Sequence, residues 1–149
     1  MHSLANPLPD PERHAAFYEG VPVRRAWAFA IDLIATALLT LAIIPFTAFI
    51  ALFFLPLVWL VVGFFYRWVT LARGSATPGM RLMAIEFRAA DGGRLDGLTA
   101  LLHTLGFTMS WAFVLPQVAS VALMVMHPRG QGLTDLVLGT VAIRQAARG

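Results

Sequence analysis

The sequence predicts an all-α integral membrane protein with two transmembrane helices, a third proline-bent membrane segment and a small extramembrane β-ribbon. Three observations carry that prediction. First, 58% of the 149 residues are hydrophobic and only 13% are charged, with a mean hydropathy of +0.73. Even a soluble domain of this size leaves about 30% of its unfolded surface exposed, so the bilayer must cover what water cannot. Second, residues 26–66 form an apolar block of 41 residues whose single charge is Asp32. As helix at about 1.5 Å per residue it measures roughly 62 Å, enough for two crossings. Third, all eleven basic residues are arginine, and most lie beside apolar runs or in the polar stretch joining them, as the positive-inside rule expects.

The same numbers exclude several classes. A chain this apolar is not disordered, and without cysteine it has no disulfide, haem-thioether or Cys-zinc site. The basic pI suggests a nucleic-acid binder, but no basic patch interleaves with exposed aromatics, so nucleic acid is not an expected partner.

Residues 1–20 hold Pro7, Pro9, Asp10, Pro11, Glu12 and Glu19 and lack the apolar core of a signal peptide, so they read as a polar N-terminal tail. Within the apolar block, Pro45 with Phe46 and Thr47 marks the turn between the first two helices, because proline disfavours helix at the preceding residue. A turn at Pro56 would leave the second helix too short to cross, so Pro56 reads as a kink. Trp27 beside Arg24 and Arg25, and Tyr66 with Arg67 and Trp68, place both helix ends at a water interface.

Residues 71–96 are the polar centre, punctuated by Gly74, Pro78, Gly79, Gly92 and Gly93. They contain the strand-like run Met83-Ala84-Ile85-Glu86-Phe87-Arg88 and the turn signal Asp91-Gly92. Asp96 is a cap for a helix entering the apolar segment 98–126. That segment carries Pro116 near its middle and the polar residues His103, Thr104, Thr108, Ser110, Gln117 and Ser120. It either crosses once or folds back as a re-entrant hairpin. A single crossing would put Arg129, Arg144 and Arg148 opposite Arg24 and Arg25, so the charge rule favours the hairpin, with both termini cytoplasmic. The run Thr140-Val141-Ala142-Ile143-Arg144 has strand composition and pairs in expectation with the Met83–Arg88 run.

Asp32 is the most informative residue, since an ionisable group inside a membrane helix costs about 2.5 to 3.5 kcal/mol on insertion scales. The expected compensation is an arginine from another segment; the alternative is a proton or cation site. Arg25, two turns earlier on nearly the same face, would need an extended side chain to reach it. Thr36 and Thr40 recur at every fourth residue after Asp32 and share its face, as polar lining of a cavity or as hydroxyls bonded back to their own helix.

Gly74-Ser75-Ala76-Thr77-Pro78-Gly79 has the spacing of a phosphate loop but continues with Met80-Arg81, without the Lys and Ser/Thr that reach phosphates and metal. Thr77, Pro78 and Gly79 read instead as a tight turn that positions Arg81. His103 lacks a second ligand at i+3 or i+4, so no metal site is expected, and it reads as hydrogen-bonded within the helices or as cavity lining. His2, His14 and His127 are scattered. Asp135 reads as a cap of a short helix, with Thr134 competing, or as the partner of Arg25 or Arg81 that closes the C-terminal tail onto the first helix. No nucleophile, base and orienting acid fall together, so neither an enzyme nor a cofactor is expected.

Three blocks stand in order: Arg24-Arg25-x-x-Ala28-x-x-Ile31-Asp32, Gly74-x-Ala76-Thr77-Pro78-Gly79-x-Arg81-Leu82, and Gln131-Gly132-Leu133-x-Asp135-x-x-x-Gly139-Thr140. Together they resemble the RDD-domain membrane proteins, whose name records one arginine and two aspartates that carry over to Arg25, Asp32 and Asp135. The resemblance implies an RDD-type transmembrane domain over residues 21–146, followed by a short tail over 147–149, in a bacterial inner (plasma) membrane. Met80, His103 and Thr134 depart from the basic residues or histidine usual at those family positions. The family has been linked to transport of unidentified ligands, and some members resemble cation/proton antiporters. Two functional expectations result. One is a structural or assembly partner within a larger membrane complex; the other is a homo-oligomeric transporter of ions or small molecules, exchanging a proton or cation at Asp32.

Overall fold

A computed structural model describes residues 7–145; His2 and Arg148 lie outside the described residues. After a short 3-10 turn at Ala15–Phe17, α1 spans Val21–Phe46. The chain reverses through Thr47, Ala48 and Phe49, the last two with φ of 50° and 65°. A 3-10 turn at Ile50–Phe54 leads into α2, Leu55–Gly74. Then come α3 (Pro78–Leu82), β1 (Ile85–Arg88), α4 (Gly97–Ala112), α5 (Val114–Met126), α6 (Leu133–Leu138) and β2 (Val141–Arg144).

Two stretches are long and apolar enough to cross a bilayer, residues 15–46 and Ile50–Gly74, of 32 and 25 residues. The turn falls at the residues the sequence indicates, with Pro45 in the last turn of α1. Pro56, however, is not a kink. It occupies the first turn of α2, where a missing N–H costs nothing because that donor has no intrahelical partner. Nor does α2 stop near Tyr66. It continues for two more turns to Gly74, so Arg67 lies inside the helix rather than at its end.

The third segment is a helix pair bent by 117°. The bend falls at Phe113, extended at φ −126° and ψ 124°, and not at Pro116, which again sits in a first helical turn. α5 therefore folds back, and the chain beyond it returns to the end of the bundle from which α4 started. Leu133 N–H donates to the Ser120 hydroxyl at 3.1 Å, and β2 pairs antiparallel with β1, Ile85 opposite Arg144 and Arg88 opposite Val141. Asp96 caps α4 by accepting the Thr99 N–H at 2.7 Å.

The buried core gathers at this end. Val21 and Ala28 of α1, Leu71 of α2, Met80 of α3, Ile85 and Phe87 of β1, and Ala142 of β2 pack together. Residues before α1 join it: Leu8 and Tyr18 pack on Val141 and Ile143, and the Tyr18 hydroxyl donates to the Pro9 carbonyl at 2.7 Å. At the far end the helices are bare, with Phe46, Phe53 and Leu115 exposed. The outer faces of α1 and α2, including Ile34, Leu38 and Leu57, are likewise exposed and apolar, the pattern of helices solvated by acyl chains.

Candidate functional site

Two carboxylates organise the packed end. Asp32, on the inner face of α1, is buried. Its Oδ1 accepts the Tyr66 hydroxyl and the Gly79 N–H, both at 2.8 Å, and its Oδ2 accepts the Thr77 hydroxyl at 2.5 Å. Thr77 is also the N-cap of α3, its oxygen accepting the Met80 N–H at 3.2 Å. Gly79 is obligatory here: a Cβ would lie 2.2 Å from the Ala28 carbonyl oxygen and 2.8 Å from Asp32 Oδ1. Thr77-Pro78-Gly79 thus seats the first turn of α3 on α1. It does not aim Arg81 at a carboxylate. Arg81 is exposed and lies against the end of α2, where a Cβ on Gly74 would come within 2.2 Å of its guanidinium.

Asp32 therefore makes no ion pair with arginine among the described residues. Three neutral donors replace the expected partner, because α3 covers the carboxylate before any guanidinium reaches it and Arg25 turns elsewhere.

That other place is Asp135, on α6 and fully buried. Arg25 Nη1 lies 2.5 Å from its Oδ2 and also donates to the Gly130 carbonyl at 3.3 Å. His103 Nε2 is 2.8 Å from Oδ1, the Thr140 hydroxyl donates to Oδ1 at 2.9 Å, and the Gly132 N–H donates to Oδ2 at 3.0 Å. Burial alone would raise this carboxyl, but the Arg25 guanidinium, His103 and the Gly132 N–H outweigh it and hold Asp135 well below the usual carboxylate range. An ionised carboxylate only accepts, so His103 presents Nε2–H to it. Neither Asp135 nor Thr134 is the N-cap; that position is Gly132, and Asp135 at the third helical position reaches back to it. Phe87 lies between His103 and Arg25, its ring 4.4 Å from the His103 ring in a tilted contact and 5.2 Å from the Arg25 guanidinium.

Two cavities adjoin this frame. The larger, about 480 Å³, runs between α1, α2 and α4 and includes Asp32, Thr36, Tyr66 and Arg67 in its wall. A second, about 290 Å³, lies toward α5 and shares Asp32 and Arg67 with the first. Thr36 is a lining residue, whereas Thr40 and His103 line neither of these two. Thr40 donates to the Thr36 carbonyl at 2.9 Å within its own helix, and His103 is turned to Asp135. No group of three His, Asp or Glu side chains is arranged to hold a metal ion among the described residues.

The sequence reading missed Tyr66 as a ligand of Asp32, Thr140 as a ligand of Asp135, and the position of Arg67 within the bundle. Tyr66 and Arg67 carried the signature of an interfacial anchor; a helix extended to Gly74 would have placed them two turns inside.

The molecule is thus a small multi-pass helical membrane protein whose first helix carries an arginine and an aspartate that tie down a short central helix and a C-terminal one. The chain belongs to the RDD family, whose model matches residues 20–139. No curated protein and no solved structure matches it.

Proposed function

We propose that this RDD protein is a structural or assembly subunit of a larger complex in a bacterial inner membrane, with both termini cytoplasmic. The observation that carries this reading is the employment of the family carboxylates. Asp32 is occupied by Tyr66, Thr77 and Gly79, and Asp135 by Arg25, His103, Thr140 and Gly132. Charges so engaged fix a compact unit and leave the apolar outer faces for docking against other membrane helices. Arginines at the packed end support the cytoplasmic assignment. The test is affinity capture of the full chain from native membranes in mild detergent. Recovery with a defined set of larger membrane proteins is expected, and recovery as a free monomer or homo-oligomer overturns the reading. A C-terminal alkaline phosphatase fusion should be inactive.

The second reading, cation/proton exchange through Asp32 in a homo-oligomer, draws support from one observation: Asp32 lies in the wall of both cavities. It requires proteoliposomes to show cation-dependent proton movement that Asp32→Asn abolishes while the variant still inserts and assembles.

A further inference from the structure

The two family carboxylates leave Arg67, half-buried within the bundle, without a salt bridge among the described residues, and its buried Nε has no hydrogen-bond partner. Asp32 and Asp135 both act on it through space, but the first is hydrogen-bonded by Tyr66, Thr77 and Gly79 and the second is paired with Arg25. One face of the guanidinium rests on the Phe107 ring, 3.9 Å from its centroid. Arg67 also lines both cavities between the helices. An arginine kept inside a membrane bundle without a partner carboxylate is the mark of a site for something else.

The shape of the larger cavity says what. Arg67 and Trp59 both line it, eight residues apart on α2 and so separated by about 12 Å along the axis. Toward the far end of the bundle the wall continues from Arg67 over Phe64, Leu60 and Trp59 of α2, facing Leu33 and Thr36 of α1 and Trp111 of α4. One end, near the polar face of the protein, holds Arg67 together with the Asp32 carboxylate, whose oxygens are turned to Tyr66, Thr77 and Gly79; beyond it the wall is mostly aromatic and aliphatic, with Thr36 and Thr108 as its polar groups. At about 480 Å³ it falls within the roughly 300 to 1,000 Å³ of small-ligand sites. Leu33, Trp59, Leu60 and Trp111 line it and are also exposed on the apolar surface, so a ligand reaches it from the bilayer. The geometry points to a binding site for a single-chain amphiphilic oxyanion, its carboxylate or phosphate head on Arg67 and its alkyl chain between α1, α2 and α4. This site is independent of whether the chain acts as an assembly subunit or a transporter.

The test uses the full chain in nanodiscs and the fluorescence of Trp59 and Trp111, quenched at short range by bromine. Dibromostearate, its methyl ester and a brominated alkyl phosphate are titrated at alkaline pH. Saturable quenching by the ionised acid or the alkyl phosphate is expected, above the linear background of probe dissolved in lipid. The ester should bind roughly tenfold or more weakly, and Arg67→Gln should weaken the acid by a similar factor. Arg67→Lys should keep part of the affinity. Trp27→Phe should leave the saturable signal in place, and removal of Trp59 and Trp111 together should abolish it. If the alkyl phosphate alone saturates, the head is a phosphate; if unlabelled inorganic phosphate displaces it, the head binds free anion as well. Equal saturation by acid and ester, or an unchanged constant in folded Arg67→Gln, overturns the proposal. Should Arg67→Gln not fold, Gly63→Leu decides. Its Cβ meets only Thr36 Cγ2, at 3.4 Å, and the larger side chain fills the cavity with Arg67 intact. Loss of saturable quenching supports the site; retention overturns it.

Discussion

At one end of the bundle α3, α6 and the β-ribbon enclose Asp32 and Asp135; at the other, Phe46, Phe53 and Leu115 are bare. The first end is built like the interior of a soluble protein, with both buried carboxylates hydrogen-bonded on each oxygen and glycine where backbones touch. The second relies on lipid to cover what the chain leaves open. The comparison teaches where specificity resides. Apolar helices in hydrocarbon gain nothing from burying more apolar surface, so register and topology are set by polar contacts and close backbone approach.

The largest effect should come from Gly79→Val. A Cβ there collides with the Ala28 carbonyl, so α3 must leave α1 and uncover Asp32; loss of the folded monomer on gel filtration, or about 3 kcal/mol or more of destabilisation, is expected.

Asp135→Asn comes next, at roughly 3 to 5 kcal/mol, because it strands the Arg25 guanidinium in a buried site. It also carries a pH signature. The folded-state pKa of Asp135 is depressed, so its stabilisation is complete above the ordinary carboxylate pKa of the unfolded chain. It is lost as pH falls from that value toward the folded one. Thermal melting of wild type should therefore decline through the acid range, and Asp135→Asn should flatten that decline.

Asp32→Asn should cost less, about 1 to 2 kcal/mol. The hydrogen-bond partners of Asp32 are neutral, Thr77 can turn to accept from an amide, and Arg67 loses only a through-space attraction and no direct ion pair. A larger loss than for Asp135→Asn in the same detergent would mean that Asp32 is paired with arginine after all. At the opposite end Phe53→Ala should change stability by about 0.5 kcal/mol or less, measured in the same melts. A loss comparable to that at Asp135 would show that the bare end is itself packed in an assembly.

Much of the packed end was legible. Pro45 marked the first turn, Asp96 the cap of α4, and the runs around Ile85 and Val141 the ribbon, because caps, turns and strand composition are local signals. Charge placement also indicated the fold-back of the third segment, since it reflects which end of the bundle each loop must reach. Local signals failed where a residue's neighbour decided its meaning. Pro56 and Pro116 looked like breaks and are helix starts, because the missing N–H matters only relative to a boundary the sequence does not print.

The sequence by itself determined that this chain lives in a bilayer, that its arginines flank the apolar runs, and that Arg25, Asp32 and Asp135 belong to one motif set. Hydropathy, charge and motif spacing are sums over residues and need no coordinates. Only the tertiary structure decided the pairing: Arg25 with Asp135 at 2.5 Å, Asp32 with a hydroxyl, a phenol and a backbone N–H, and Arg67 with a cavity. Which donor reaches a buried carboxylate depends on ångström-scale approach between segments far apart in the chain, and here that approach was set by a glycine on α3 lying flat against α1.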